Sequence, residues 1–234
     1  EVINTMKSNE ERINDLLSHL DSLTYIKPEE IPNIHLYMDQ VTTFMEEHLS
    51  NTKRYPEDKV LTKTMINNYA KNNLLPAPIK KKYSKEHMLM LIFIYYYKNV
   101  LSFHDIQQIF KPITEGHFSA HEENRKADGE MGAGQSKGQH WDKSLEAVYR
   151  EVFSMTESHM QLLKEDILDK FQRAKNTFTD AEEGDREYLQ LFSFICQLSL
   201  DVYLKKQMIE TIADQLYAED ETNGKGHRHG KDAG

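Results

Sequence analysis

The 234-residue chain has one cysteine, one tryptophan and six prolines, and none of its ten glycines falls in the first 115 positions. The lone cysteine, Cys196, excludes a disulfide within the chain, and its setting, LFSFICQLSL, gives no argument for an oxidising compartment. Those apolar neighbours predict a buried thiol acting as a small hydrophobe. Long apolar runs are missing too. The longest, Met88 to Tyr97, is about half the ~20 residues that cross a bilayer, so it predicts a buried core helix and no membrane contact. No secretory signal is visible, and a cytoplasmic protein is expected.

What is present is helical patterning. Apolar residues are 38% of the chain and charged residues 29%, which suits a helical protein with a modest core. Glu10 to Leu23 places Ile13, Leu16, Leu17, Leu20 and Leu23 on one face, and Leu36 to Leu49 does the same with Met38, Val41, Met45 and Leu49. Lys85 to Asn99 is apolar nearly all round at its centre. Two long amphipathic helices are expected later, over Asp142 to Phe178 and Glu187 to Ala218, with Leu145, Val148, Val152 and Met155 near heptad spacing in the first. No segment sustains strand alternation, so the fold class is all-α.

Glycine returns between Ile113 and Trp141, at positions 116, 129, 132, 134 and 138. That polar stretch cannot bury enough apolar surface to offset its ordering entropy and reads as a flexible linker. The expected organisation is therefore an N-terminal domain over 1–112, a linker over 113–141, a helical pair over 142–218 for dimerisation or effector response, and a disordered tail over 219–234.

Net charge is −9, but the balance is uneven. Lys53 to Lys98 holds ten Lys or Arg against Glu57, Asp58 and Glu86, or +7, which leaves −16 for the remainder. Binding to nucleic acid depends on a local basic surface and not on the sum. Within that segment Thr62 is a good N-cap. Met65, Ile66 and Tyr69 then share a face for burial, while Lys63, Thr64, Asn67, Asn68 and Lys71 lie opposite. Asn72-Asn73 can end the helix in the left-handed conformation, and Leu74-Leu75-Pro76 leads out. A short basic stretch follows, with Lys80, Lys81 and Lys82 placed to touch a phosphate backbone. Ser84 and Ser102 read as caps of two further helices. Asparagine can bond adenine edges bidentately and lysine can reach phosphate or guanine, so the polar face suits the major groove. On composition alone an ordinary solvated surface is the better reading, and the parts that follow shift the balance.

This order of parts resembles the MerR family, in which a recognition helix exits through Leu-Leu-Pro into a wing closed by Tyr-Ser, a long helix, and a short helix after a Phe-Ser-Leu-like phrase. Leu74-Leu75-Pro76, Tyr83-Ser84 and Leu101-Ser102-Phe103 occupy those places. Over Ile31 to Phe110 the phrases Leu36-Tyr37-Met38-Asp39-Gln40-Val41, Leu61 to Tyr69 and Lys81-Lys82-Tyr83-Ser84 are closer still to a bacterial family known as domain of unknown function 1836. The resemblance implies a MerR-like winged helix-turn-helix followed by two long helices. Departures narrow it. Asn67 stands where an arginine that grips phosphate is usual, Asn68 replaces an aromatic, the link from Leu49 to Thr62 is long, and the wing is too short for a full hairpin. Phosphate contacts are then expected from Lys63, Lys71, Lys80, Lys81 and Lys82.

Other constellations carry less. His117 and His121 have helical ligand spacing but sit in the glycine-rich stretch, and His227 and His229 are in the tail. No catalytic spacing appears, so neither an enzyme nor a cofactor or metal is expected. Phe93, Tyr95, Tyr96, Tyr97 and Phe103 either line a pocket for an unidentified small-molecule effector or seat the recognition helix by packing. The expected function is DNA-binding transcription regulation on double-stranded DNA as a homodimer, because a two-helix hairpin alone leaves an apolar stripe bare. The alternative is a helical protein-interaction module that docks an acidic partner.

Overall fold

The computed structural model describes residues 7–114 and 144–226, and these are mostly helical. The elements in chain order are α1 (Asn9–Ser22), β1 (Leu36–Tyr37), α2 (Met38–Leu49), α3 (Lys63–Lys71), β2 (Lys82–Tyr83), α4 (Lys85–Tyr97), α5 (Phe103–Ile113), α6 (Leu145–Ser154), α7 (Thr156–Lys175) and α8 (Glu183–Gly226). Among the described residues, no helix is long and apolar enough to cross a membrane. The all-α class holds, with one two-stranded sheet added.

The chain forms two compact units. The first comprises residues up to Tyr25 with Phe153–Lys205, and the second Ile26–Val152 with the chain from Lys206 onward. This differs from a division at residue 112, because α1 packs with the later helices. In the first unit Ile13 of α1 meets Ile167, Phe171 and Ala174 of α7 and Phe194 of α8, with Leu16, Leu17 and Leu20 at the margin. Three amphipathic helices bury their stripes on one another, which two could not do. Ser8 starts α1 with a capping box to Glu11, and Asn9 donates to the Glu187 carbonyl at 2.8 Å.

The second unit is built round α4. Every residue from His87 to Tyr95 is buried, which accounts for an apolar stretch without a polar face. In the same unit Val41, Met45 and Leu49 of α2, Ile66 of α3, and Leu74 and Leu75 are at most 1% exposed. Each such side chain contributes about 1.5–3 kcal/mol of transfer free energy. Tyr149 of α6 is fully buried there and donates to the Ile26 carbonyl at 2.6 Å.

Several expectations are corrected. Leu36 and Tyr37 are a strand, not the first turn of a helix, because they pair antiparallel with Lys82-Tyr83 far along the chain. The helix expected over Asp142 to Phe178 breaks at Met155, where the chain passes from one core to the other and Ser158 donates back to the Met155 carbonyl. Helix α8 continues past Ala218 to Gly226, since each residue added to an existing helix costs little. Cys196 is exposed, because it lies two positions, about 200° of helix rotation, from buried Phe194. Most of the glycine-rich stretch, with His117 and His121, and His227 and His229 of the tail, lies outside the described residues.

Candidate nucleic-acid interface

Helix α3 forms because Thr62 caps it, accepting from the Met65 amide at 3.2 Å. Ile66 and Tyr69 are buried, and Lys63, Thr64, Asn67, Asn68 and Lys71 are all exposed. These five recur at helical spacing and so make one face. At 1.5 Å per residue α3 is about 13 Å long, comparable to the ~12 Å width of a DNA major groove.

The helix ends at Asn73, whose φ of 57° is left-handed. The Leu74 and Leu75 amides both bond the Tyr69 carbonyl, at 2.9 and 3.1 Å, which turns the chain and sends both leucines into the core. Two contacts from α5 seat the helix: Phe103 stacks on Tyr69 at 6.4 Å, and Gln107 donates to the Asn72 carbonyl. Phe110 of α5 packs on both Phe93 and Tyr97 of α4, and Tyr149 lies against Phe93 at 5.3 Å.

Beyond α3, the basic stretch closes a hairpin that the sequence had seemed too short to form. Ile79 bridges Lys82, and the two residues between them, Lys80 and Lys81, have φ of 50° and 63°. A two-residue turn with both φ positive matches the twist of antiparallel strands, but it normally uses Asn-Gly. Lysine there is strained by about 1 kcal/mol or more per residue. Strained residues persist where surrounding structure enforces them, and they concentrate at functional positions.

The ends of this hairpin are pinned. Lys82-Tyr83 pairs with Tyr37-Leu36, and the Lys82 ammonium sits 5.1 Å from the Tyr37 ring centre. Buried His87 accepts from the Ser84 amide at 3.1 Å and meets the Tyr83 ring edge-on. Burial holds its pKa below the usual histidine value, opposed by Glu86 and by the carbonyls of Pro76 and Ala77. Asp39, two residues after Tyr37, pairs with Lys63 in the first turn of α3. Lys82 to Tyr37, Tyr37 to Asp39 and Asp39 to Lys63 thus form a continuous path from the hairpin to α3. Among the described residues, Lys71, Lys80, Lys81 and Lys82 make no ion pair, so their charge is uncompensated.

The long link after Leu49 is also ordered. Lys53 pairs with Glu46 at 2.6 Å, and the other Glu46 oxygen accepts from the Val60 amide at 3.2 Å. These bonds, led by Lys53, hold the Glu46 carboxyl below the ordinary range. The importance of Glu46 and Asp39 was missed from sequence, since neither stands in a motif. Among the described residues no three His, Cys, Asp or Glu side chains are grouped to hold a metal.

Residues 26–128 match the family model described as a domain of unknown function (DUF1836). The match starts at Ile26, where the second compact unit starts. No curated protein and no solved structure matches the chain.

Proposed function

We propose that the segment from β1 to α5 binds double-stranded DNA, and that the protein is a transcription regulator acting as a homodimer. The observation that carries this reading is the joining of two basic, exposed features: the α3 face of Lys63, Thr64, Asn67, Asn68 and Lys71, and the left-handed Lys80-Lys81 tip. The order strand, helix, helix, wing, helix, helix supports the MerR-like resemblance, with a two-residue turn in place of a longer wing. On this reading α3 enters the major groove, Asn67 and Asn68 meet base edges, and Lys63, Lys71 and Lys80 to Lys82 meet phosphates. A dimer presents two such helices to half-sites about one helical turn apart, or a multiple of it.

Fluorescence anisotropy with duplexes from upstream of the gene tests this. With four or five phosphate contacts per protomer, the plot of log affinity against log salt should have a slope of about −4 per half-site. Asn67→Ala should weaken binding and relax preference for one sequence, whereas Lys81→Ala should weaken all sequences alike and make the slope shallower by about 0.9. Affinity without salt dependence, and unchanged in both variants, refutes DNA binding and favours an acidic protein partner.

A further inference from the structure

The first half of α8 carries a second apolar face that the core of its unit does not use. Leu191, Phe194 and Leu198 turn inward. Beside it, turned roughly 90° round the helix, Tyr188, Phe192, Ile195, Val202 and Tyr203 are each 49–67% exposed, with the rings of Tyr188 and Phe192 stacked at 6.5 Å. Tyr188, Phe192, Ile195, Ser199 and Val202 alternate steps of four and three, the spacing of a coiled-coil seam with one polar position, and Tyr203 flanks it. With aromatic side chains covering roughly 150–250 Å² each and the two aliphatic ones less, the five expose on the order of 400–700 Å², approaching the ~800 Å² per partner of a stable interface.

We infer that this face pairs with the same face of a second copy, the two α8 helices running antiparallel. Charge at the ends of the seam selects the occupant and its direction. Exposed Asp185, next to Arg186, precedes the stripe, and Lys205-Lys206 follows it, with the Lys206 ammonium 3.4 Å from Glu210. Antiparallel pairing brings Asp185 of each copy to the Lys206 end of the other; parallel pairing sets lysines against lysines and acids against acids. The stripe is centred between Ile195 and Cys196, so both lie near the two-fold axis and exposed Cys196 approaches its own counterpart. This deepens the homodimer part of the proposed function, and it is measured without DNA, so its failure and the failure of DNA binding are separable.

Sedimentation equilibrium should give twice the 27.4 kDa chain mass at about 10 µM. The double variant Phe192→Glu/Ile195→Glu, at exposed positions, should keep its far-ultraviolet helical signal and weaken association at least about 100-fold. A short bismaleimide should cross-link two copies through Cys196, and not in Cys196→Ser. Asp185→Lys and Lys206→Asp should each weaken the dimer a few-fold, and their combination should restore it. A monomer at about 100 µM, a dimer indifferent to the glutamate substitutions, or no cross-link in wild type overturns the α8 interface. Failure of the combined charge swap to restore association overturns the antiparallel direction.

Discussion

Replacing Lys80-Lys81 by Asn-Gly should stabilise the protein while weakening its hold on DNA. Both lysines have left-handed backbone, at φ 50° and 63°. Relief at Lys81→Gly is about 1–2 kcal/mol, of which roughly 0.5–1 is returned as extra freedom of glycine in the unfolded chain. Asparagine tolerates this region better than lysine, so Lys80→Asn adds a few tenths. The sum is about 1 kcal/mol, or a rise of about 2–4 °C in the melting midpoint for a protein of this size. On the proposed DNA-binding role, loss of both lysines should also make the salt slope shallower by about 1.8 per protomer. Lys80→Ala/Lys81→Ala separates the two effects, because alanine keeps the Cβ and hence the strain while losing the charge. It should show the shallower slope without the thermal gain. The assays are calorimetry and an anisotropy titration over several salt concentrations. An Asn-Gly variant that melts at or below wild type refutes the strained-turn reasoning, and one whose salt slope is unchanged refutes the wing as a phosphate contact.

Tyr149→Phe keeps the ring against Phe93 but removes the buried bond to the Ile26 carbonyl, so urea denaturation should show a loss of about 1–3 kcal/mol; a change within error would mean the carbonyl finds another donor. Stability should also fall with acid at the root of the wing. His87 is held below the usual histidine pKa by burial, so the unfolded chain takes up its proton first; its contribution is present above about pH 6.5 and is lost as pH falls from there through the folded value. Melting curves between about pH 5 and 8 should therefore show a smaller dependence in His87→Asn, which retains an acceptor for the Ser84 amide, and an equal dependence in the two proteins refutes the assignment.

The helices were legible because their signals are local. Thr62 and Ser102 are caps whose partners lie three residues away, and both make the expected bonds. The period of Ile66 and Tyr69 against Lys63, Asn67 and Lys71 orients α3 whatever it packs on. Buried α4 followed from an apolar stretch with no polar side. Strand β1 has the sequence pattern of a helix because Met38 to Leu49 continues it, and two residues are too few to show alternation. Glu46 and Asp39 were invisible as organisers, since acids on a helix face look alike until a partner from another element arrives.

By itself, then, the sequence determined the all-α class, the α3 face and the concentration of lysine around it, all set by spacing within one or two turns. The tertiary structure decided what depends on residues far apart in the chain. Pairing of Leu36-Tyr37 with Lys82-Tyr83 anchors the hairpin and helps fix its lysines in a left-handed turn that lysine does not choose alone. The sharing of one core among α1, α7 and α8 decides which side of α8 is buried, and so leaves Cys196 and its aromatic neighbours facing outward. Local chemistry selects a helix and its faces, but only the packing of distant segments selects which face is spent on the core and which remains for a partner.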